Sequence, residues 1–361
     1  MEPIPKTTFE GWSYFISRIL DNIDLSEDES EAIMSQMLLG QAKDSQIAAF
    51  LIALKSKGET IHELMGLVKA MLNAAEKITI DYNEALLDTC GTGGDRSGTF
   101  NISTTSSIVV AASGVKVAKH GNRAASSNSG SADVLEALGV AIDLGPDGVK
   151  KCLDEVGIGF FLAQKFHPAM RFVGPVRKEL GIPTVFNLLG PLSNPARPAF
   201  HLLGVSNINV ANHMRQVLME MGCKKALIVH SKEGLDEIST VSPTFVFQSE
   251  VQIGENGERL VKETNFEIDP SDYGFKSAKM EDLLGGSPKD NAEIVRSILN
   301  GEKGPKRDVV LINAGAAIYA ANRAESIEIG IDLAKESIDN GNALEVLDRL
   351  VKVSNEAKVS E

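Results

Sequence analysis

The sequence predicts an α/β protein with a small all-helical domain at the N-terminus and a larger domain built on a mainly parallel sheet. Apolar residues in the first eighty positions recur at helical spacing, whereas from about residue 85 short β-rich runs alternate with helical segments. Such alternation is typical of a parallel sheet covered by helices on both faces. We therefore expect a helical domain over residues 1–80 and an α/β domain over residues 81–361.

Four helices are expected in the N-terminal domain. The first is indicated by apolar residues at helical spacing, namely Phe9, Trp12, Phe15, Ile16, Ile19 and Leu20. A capping box at 26–29 begins the second, Gly58 ends a third over 45–57, and Thr60 begins the fourth. Their apolar faces fit either a partner surface or internal packing alone, and the sequence does not separate the two.

The larger domain is expected to alternate strands and helices. Strands are predicted at 86–89, 115–118, 159–162, 226–230 and 309–313, and helices at 103–113, 131–139 and 210–221. Residues 244–264 break the alternation with a β-hairpin around the turn signal Asn256-Gly257. The segment 325–353 predicts a C-terminal helix with a frayed tail.

Composition excludes several classes of function. A net charge of −13 disfavours a nucleic-acid binder, which usually carries a broad basic surface. No apolar run approaches the roughly 18 residues that span a bilayer, and residues 1–6 lack a signal-peptide core. The three cysteines have no metal-type spacing and indicate reduced thiols, so a cytoplasmic protein is expected. Cations clustered within an acidic chain favour a small anionic metabolite bound with a divalent metal.

Residues 119–131 form the most informative segment. They combine Lys119, His120 and Arg123 with glycines and small hydroxyl or amide side chains. Glycines let the backbone approach a ligand, N–H and hydroxyl groups donate to phosphate oxygens, and the cations neutralise charge. The segment therefore predicts a loop around an anionic, hydroxyl-rich ligand, with His120 in a binding or orienting role or as a satisfied structural histidine.

A second glycine-rich loop, 91–95, lies between an apolar strand and an apolar helix. This order places free N–H groups and the positive end of a helix dipole beside the loop, which favours anions. Asn101 or Ser103 is the expected N-cap. The spacing matches neither the P-loop nor the dinucleotide-binding pattern, so a structural turn is the alternative for this loop taken alone.

Three further segments contribute candidates. Arg171 and Arg177 are six residues apart, so a helix would direct only one of them to a site, where it could pair with a substrate carboxylate. Residues 187–195 predict a rigid, exposed-looking apolar loop fixed by Gly-Pro and Asn-Pro, which could form the wall of a flat apolar pocket or serve as structural scaffolding. Asp236 and Glu237 follow a predicted strand, a position at which adjacent carboxylates suit Mg²⁺.

Together these segments closely resemble the anthranilate phosphoribosyltransferase family. The matching motifs lie at 91–95, 101–104, 119–123, 177–181, 187–195 and 235–237, in family order, within a resemblance over roughly residues 10–345. One such motif is moderately specific, whereas their joint occurrence is highly specific. The resemblance implies a cleft between the two domains, a helical domain completed by a segment near 165–190, and a homodimer joined through that domain.

The implied reaction moves the phosphoribosyl group of phosphoribosyl pyrophosphate (PRPP) to the amine of anthranilate, with Mg²⁺, two ions per monomer. Implied metal ligands are Ser103, Asp236 and Glu237, and implied anthranilate contacts are Gly91, Asn122 and Arg177. The PRPP contacts implied by the resemblance are Gly91, Gly94, Asp95, Thr99, Asn101, Ile102, Ser103, Thr104, Lys119, His120, Gly121, Asn122, Arg123, Ala124, Ala125, Ser126, Ser127 and Ser131.

Two other functions are alternatives to this one. A pyrimidine nucleoside phosphorylase shares the fold, but such enzymes are usually longer and carry a different glycine-threonine motif at the position of 119–131. A non-catalytic nucleic-acid-binding relative would tend to be basic and to lose the loop residues. The charge of −13 and the intact loops argue against the second alternative.

Overall fold

The computed structural model describes residues 9–80, 85–124 and 128–360. The N-terminal part is all-helical, and the remainder is built on one seven-stranded sheet with helices on its faces. The predicted fold class is therefore confirmed. Within these residues no helix combines the length and apolar character needed to cross a bilayer.

The N-terminal helices are α1 Trp12–Leu20, α2 Glu27–Leu38, α3 Asp44–Lys57 and α4 Ile61–Ala74. The predicted capping box of α2 is present, since the Ser26 side chain accepts from the Glu29 N–H and the Glu29 carboxylate accepts from the Ser26 N–H. Gly58 ends α3 with a φ of 92°, a conformation that glycine adopts at little cost. The buried faces of these helices share one core with Val173, Val176 and Phe186 from a later segment.

The sheet follows the order β3-β2-β1-β4-β5-β6-β7. Its strands are β1 Leu86–Gly91, β2 Lys116–Gly121, β3 Ile158–Leu162, β4 Phe200–Gly204, β5 Lys225–Ser231, β6 Thr244–Ile253 and β7 Arg259–Ile268. Strands β1 to β5 are parallel, and β6 and β7 form the predicted hairpin, which extends the same sheet in antiparallel fashion. Asn256-Gly257 lies in the turn of this hairpin.

Eleven further helices among the described residues cover the sheet or flank the cleft. They are α5 Ile102–Ala112, α6 Ser131–Ala137, α7 Pro146–Val156, α8 Ala163–Phe166, α9 Gly174–Leu180, α10 Phe186–Leu192, α11 Ala211–Glu220, α12 Pro288–Leu299, α13 Pro305–Ala320, α14 Ile327–Asp339 and α15 Asn342–Ser360. A 3₁₀ turn, Pro168–Phe172, leads into α9. The C-terminal helix predicted at 325–353 is thus two helices separated near Gly341, and α15 is helical to Ser360.

The strand predicted at 309–313 is wrong, because these residues lie inside α13. The run is apolar at every position but one, and α13 is buried nearly all round, so no polar face reveals the helical period. Gly315 of α13 lies so close to Gly330 of α14 that a β-carbon at either position would collide with the other helix. The glycines therefore permit this helix crossing.

Strand β4 was not predicted, and the interpretation of 187–195 as an exposed loop is wrong. β4 has only five residues, follows a proline-rich stretch and contains a buried histidine, His201. Most of 187–195 is helical in α10, with Leu189, Leu192 and Asn194 buried against neighbouring elements. Pro191 lies within the last turn of this short helix. The prolines and the glycine suggested a loop, whereas packing of the apolar residues decided the outcome.

Candidate active site

The cleft lies at the carboxyl ends of the parallel strands. β1 is paired with β2 on one side and with β4 on the other, so the strand order reverses at β1. Open α/β sheets bind ligands outside the carboxyl ends of their strands at such a switch point. Gly91 and Gly204, the last residues of β1 and β4, are register partners there.

The cleft has a volume of 580 Å³ and brings most of the predicted residues together. The predicted residues in its lining are Gly91, Gly94, Asp95, Thr99, Asn101, Ile102, Ser103, Thr104, Lys119, His120, Gly121, Asn122, Arg123, Ala124, Ser131, Asp236 and Glu237. Arg177 is not in this lining, although Asn187 is. Ala125, Ser126 and Ser127 lie outside the described residues, so their predicted contacts are not placed.

Glycines at the ends of β1 and β4 make room for Asp236. A β-carbon at Gly204 would collide with the backbone carbonyl of Asp236, and one at Gly91 with its carboxylate. In the loop that follows β1, Gly93 and Gly94 have φ values of 66° and 82°. The loop thereby turns its backbone toward the carboxylate, and the Gly93 N–H donates to Asp236 Oδ2 at 2.7 Å.

Asp236 and Glu237 join the loop after β1 to the N-terminus of α5. Glu237 Oε1 accepts from the N–H of Ser103 at 3.1 Å, so it occupies the N-terminus of α5. Burial, followed by the nearby Asp95 charge, raises the pKa of Asp236 to about 6. Burial, followed by the Asp236 charge, raises the pKa of Glu237 to about 8. Mutual repulsion of this kind favours a bound cation or proton.

Lys119 interacts electrostatically with Glu237 and contacts Ser103 at the start of α5. Its side chain is buried, and the ammonium donates to the Thr89 carbonyl at 2.6 Å and to Ser103 Oγ at 3.5 Å. Burial lowers the pKa of Lys119, partly offset by Asp88, Cys90 and Glu237. Thr104, also buried, has a side-chain hydroxyl without a hydrogen-bond partner among the described atoms. Both groups can therefore still donate to an anion in the cleft.

Asn101 occupies the cap position of α5 without capping it. Its amide Nδ2 donates to the Ser129 carbonyl at 3.1 Å, and its Oδ1 accepts from Ser129 Oγ at 3.2 Å. Asn101 is thus the N-cap residue, as predicted, but its side chain makes no capping hydrogen bond, and Glu237 accepts from the Ser103 N–H instead. Asn101 instead ties the loop before α5 to the loop before α6.

His120 and His167 form a buried pair at the end of β2. Their ring centroids are 5.3 Å apart, His120 Nδ1 lies 3.1 Å from the Gly190 carbonyl, and neither Nε2 has a partner among the described atoms. Burial, then the neighbouring His167, lowers the pKa of His120 to about 3, and burial lowers that of His167 to about 4. Both imidazoles are therefore neutral near pH 7. His167 was not among the predicted site residues, because a lone His before Pro168 gives no signal.

The two predicted arginines differ in their partners. Arg123 is exposed and forms ion pairs with Asp133 and Glu136 of α6, which raise the pKa of its guanidinium. Arg177 is half-buried on α9, and its guanidinium lies 4.9 Å from the centre of the Phe186 ring. Burial lowers the pKa of Arg177, and no carboxylate of the described chain pairs with it. Among these two cations, only Arg177 remains without a carboxylate.

Arg171, the alternative to Arg177, lies on the exposed 3₁₀ turn. Its guanidinium is 4.7 Å from the ring centre of Phe172, which is itself exposed. Arg177 instead contacts Phe186 of α10, the residue directly before Asn187, which lines the cleft. Position therefore favours Arg177 over Arg171 as the arginine near the site.

Asp88, Cys90 and His201 form a polar cluster that adjoins the cleft, whose lining includes Cys90. One ligand-type atom from each lies within 4.8 Å of the others. Asp88 already accepts from the His120 N–H at 3.2 Å and from Asn194 Nδ2 at 2.9 Å. The cluster thus fixes β1, β2 and the segment after α10 in place, and its donor set does not suit Mg²⁺.

Sequence reasoning missed several residues of the lining. Those without a predicted role include Thr92, Gly93, Arg96, Ser97, Gly98, Phe100, Asn128, Ser129, Gly130 and Asn187. Most lie within the two recognised loops, so extending each motif to its whole loop would have found them. Ser129 lies within the predicted loop 119–131, but its contact with Asn101 gave no sequence signal, because it joins residues 28 positions apart.

Comparison with known proteins extends over nearly the whole chain. The glycosyl transferase family helical bundle domain matches residues 13–75, and the glycosyl transferase family a/b domain matches residues 83–344. The chain is 47% identical over 341 residues to the anthranilate phosphoribosyltransferase of Herpetosiphon aurantiacus, covering 94% of this chain and 98% of that one. It is 49% identical over 342 residues to that of Acetivibrio thermocellus, with coverage of 94% and 96%.

Solved structures give the same result. Anthranilate phosphoribosyltransferase from Thermus thermophilus aligns with a TM-score of 0.85 at 40% identity, covering 94% of this chain and 99% of that one. The enzyme from Saccharomyces cerevisiae in complex with PRPP and Mg aligns with a TM-score of 0.85 at 28% identity, covering 96% and 98%. Both domains are therefore included in the similarity.

Proposed function

Because the chain belongs to the anthranilate phosphoribosyltransferase family, we propose that it transfers the 5-phosphoribosyl group of PRPP to the amine of anthranilate. The products are N-(5-phosphoribosyl)anthranilate and pyrophosphate, and the reaction is the second step of tryptophan biosynthesis from chorismate. The observation that carries the proposal is the contact of Asp236 and Glu237 with the glycine loop and with the N-terminus of α5, where Ser103 also contacts Lys119.

PRPP is proposed to lie across the two glycine loops. Its pyrophosphate would accept from backbone N–H groups of 91–95 and from hydroxyl and amide groups of 99–104, with Lys119 neutralising charge. Its ribose and phosphates would contact residues 119–127 and Ser131. Arg123 would then exchange its ion pairs with Asp133 and Glu136 for phosphate oxygens, which is feasible because exposed pairs are weak.

The donor set fits Mg²⁺. Two half-buried carboxylates, Asp236 and Glu237, with Asp95 nearby and the Ser103 hydroxyl, offer the hard oxygen ligands that Mg²⁺ prefers. Burial and the neighbouring acidic charges raise the pKa of both carboxylates, an environment that favours a bound cation. We propose two ions per monomer, one near Ser103 and one held by Asp236 and Glu237. Bound magnesium supplies charge neutralisation for the leaving pyrophosphate.

Anthranilate is proposed to contact Gly91, Asn122 and Arg177. Its carboxylate would pair with the Arg177 guanidinium, which has no carboxylate partner within the described chain and stacks on Phe186. Arg177 lies outside the cleft lining in this structure, and we propose that the helical segment moves toward the α/β domain to form the contact. Such closure would also exclude water from the reacting centre.

The reaction mainly requires stabilisation of the charge on the departing pyrophosphate and alignment of the attacking amine. The C1–O bond breaks with its electron pair departing on pyrophosphate, and the amine lone pair forms the C1–N bond on the opposite face. The ammonium proton then leaves to solvent or to the released pyrophosphate. An aromatic amine is neutral near pH 7 and attacks without prior deprotonation, so we hypothesise that no strong protein base is needed.

We further propose the assembly and domain organisation implied by the family. Residues 1–80 together with the segment near 165–190 would form one domain, supported by the core that α1 to α4 share with Val173, Val176 and Phe186. Large apolar side chains remain exposed on the helical domain, notably Tyr14, Leu20, Ile23, Leu39 and Ile52, which supports a homodimer joined there. Light scattering on wild-type protein and on Leu20→Glu, with Ile253→Glu as an equally exposed control, tests the dimer.

The enzyme would act in the cytoplasm, on small-molecule substrates and without nucleic acid or membrane. The three cysteines are free, as a reducing compartment predicts. Fractionation of the source cells tests this location.

Loss of anthranilate fluorescence with PRPP and Mg²⁺ tests the activity, against controls lacking each component. The double variant Asp236→Asn, Glu237→Gln should lower turnover by at least about a hundredfold and abolish the response to Mg²⁺, since its metal ligands lose their charge. Glu267→Gln, an exposed acid on β7, is the matched control and should behave as wild type. An unchanged Mg²⁺ response in the double variant would show that the metal assignment is wrong.

A further inference from the structure

Asn291 contacts the site from outside any motif that the sequence indicated. It lies in the first turns of α12, is 2% exposed and does not line the cleft. Its Nδ2 donates to Asn101 Oδ1 at 2.9 Å, and its Oδ1 accepts from the Gly286 N–H at 2.8 Å. A buried side chain thus joins a distant helix to a residue of the cleft.

The loop before α12 is held against the backbone that precedes Asn101, which brings Asn291 into this contact. The Gly285 N–H donates to the Gly98 carbonyl at 2.9 Å, and the Phe100 N–H donates to the Leu283 carbonyl at 3.0 Å. A β-carbon at Gly285 would lie 2.6 Å from Asn291 Oδ1 and 2.8 Å from the Phe100 Cα, closer than real side chains approach. Glycine at 285 therefore allows the loop to clamp the backbone that precedes Asn101.

The contact fixes the orientation of the Asn101 amide. Its Oδ1 accepts from both Asn291 Nδ2 and Ser129 Oγ, and one Nδ2 hydrogen is donated to the Ser129 carbonyl. One N–H of the amide is then left, in a cleft-lining residue, for an acceptor. The Ser129 hydroxyl could donate or accept, so the Ser129 carbonyl, which only accepts, and Asn291 Nδ2, which only donates, together fix the orientation of the Asn101 amide.

We propose that Asn291 is a positioning residue, which holds the Asn101 amide and, through Ser129, the loop before α6 in the geometry that accepts the pyrophosphate of PRPP. The proposal rests on the proposed function for the identity of the substrate. Its consequence is specific: Asn291 contributes to PRPP binding and not to the contacts of anthranilate, because neither of its hydrogen bonds reaches Asn122 or Arg177.

The test is Asn291→Asp, which keeps the shape and the acceptor for Gly286 but removes the donor to Asn101. KM for PRPP should rise about tenfold, as expected for one buried hydrogen bond and a misoriented amide, while kcat and KM for anthranilate change by less than about twofold. Asn300→Asp, the same exchange at the exposed C-terminal end of α12, is the matched control and should leave all three constants unchanged.

A double-mutant cycle separates positioning from added charge. In an Asn101→Ala background, Asn291→Asp should change KM for PRPP by less than about twofold, because its target is gone. A tenfold effect that persisted there would overturn the proposal, since it would mean simple repulsion of PRPP. Asn291→Ser, which introduces no charge, replaces N291D if that variant fails to fold, and its expected effects are the same.

Binding of Mg²⁺-pyrophosphate, measured by calorimetry, makes the outcome independent of turnover. Binding that is about tenfold weaker in N291D supports the proposal, even if wild type fails to consume anthranilate. Such a failure would count against the proposed function alone. Equal binding by wild type and N291D, in a protein that is active, would overturn the role of Asn291 alone.

Discussion

Glu237 accepts a hydrogen bond from the backbone N–H of Ser103 at 3.1 Å, so a carboxylate from the β5 loop occupies the positive end of α5. The neighbouring Asp236 makes the equivalent contact with Gly93 at 2.7 Å. Two acids thus stand where an anionic diphosphate would otherwise be favoured. A cation bound between these acids and the diphosphate would offset the repulsion between their negative charges. The metal and the substrate are therefore expected to bind together.

Glu237→Gln should stabilise the metal-free protein at alkaline pH. Because the pKa of Glu237 is raised to about 8 in the folded state, folding retains a proton that the unfolded chain releases above about 4.5. The carboxylate therefore costs stability increasingly as pH rises from 4.5 to 8. The variant keeps the acceptor for Ser103 without the charge. Its Tm in EDTA should exceed that of wild type by several degrees at pH 8.5 and converge with it near pH 4.

A lower Tm for Glu237→Gln at pH 8.5 would contradict the electrostatic description of the carboxylate pair. Saturating Mg²⁺ supplies the internal control. It should raise the Tm of wild type more than that of the variant, since a ligand stabilises in proportion to its affinity for the folded state.

Arg177→Ala should raise KM for anthranilate by about tenfold or more, with a smaller effect on KM for PRPP, because a charge-assisted pair with the carboxylate is lost. Steady-state kinetics with each substrate varied measures both constants. Arg171→Ala, on the exposed 3₁₀ turn, is the matched control and should leave both KM values unchanged. A rise below about threefold for Arg177→Ala would remove the carboxylate role from this residue.

Acid should destabilise the protein through its buried histidines. The pKa of His120 is lowered to about 3, and those of His167 and His201 to about 4, chiefly by burial. With a lowered folded pKa, the unfolded chain binds protons first, so stability is lost as pH falls through 6.5 toward 4. At pH 5 the loss is on the order of 2 kcal/mol per histidine.

His201→Gln isolates one of these groups, because His201 lies in β4 and outside the cleft lining. Urea unfolding at pH 7 and pH 5 should show a smaller decrease in the free energy of unfolding for the variant than for wild type. An equal decrease would mean that His201 is protonated in the folded state.

Alanine at the two strand-end glycines should have different effects. At Gly204 the added carbon meets the Asp236 backbone, so the loop after β5 must shift, and both stability and the Mg²⁺ response should fall. At Gly91 it meets mainly the Asp236 carboxylate, which can rotate, so the fold should persist while Mg²⁺ affinity falls. Thermal unfolding and Mg²⁺ titration separate the two. Equal loss of stability in both variants would contradict this interpretation.

Local sequence signals accounted for much of the fold. The capping box at Ser26, the stop at Gly58 and the hairpin turn at Asn256-Gly257 are short-range features, and each is present. The incorrect predictions concern segments whose secondary structure depends on tertiary packing. The apolar run in α13 has no polar face because the helix is surrounded, and β4 is a strand only because β1 and β5 flank it.

The active site shows the same difference between short-range sequence signals and tertiary contacts. Loop residues within a motif were predictable, since glycines and small polar groups beside a helix N-terminus indicate anion binding directly. Contacts between distant positions were not. Asn291 and His167 reach the cleft region through helix packing, and Glu237 was predicted as a metal ligand but not as the acceptor at the N-terminus of α5.

The most direct measurement is a crystal structure with PRPP, anthranilate and Mn²⁺ in place of Mg²⁺. We predict diphosphate density between the loops 91–104 and 119–131, two anomalous peaks beside Ser103 and beside Asp236 with Glu237, and the anthranilate carboxylate on Arg177. Diphosphate bound elsewhere, or metal peaks away from Asp236 and Glu237, would contradict the central claim that these loops form one binding site.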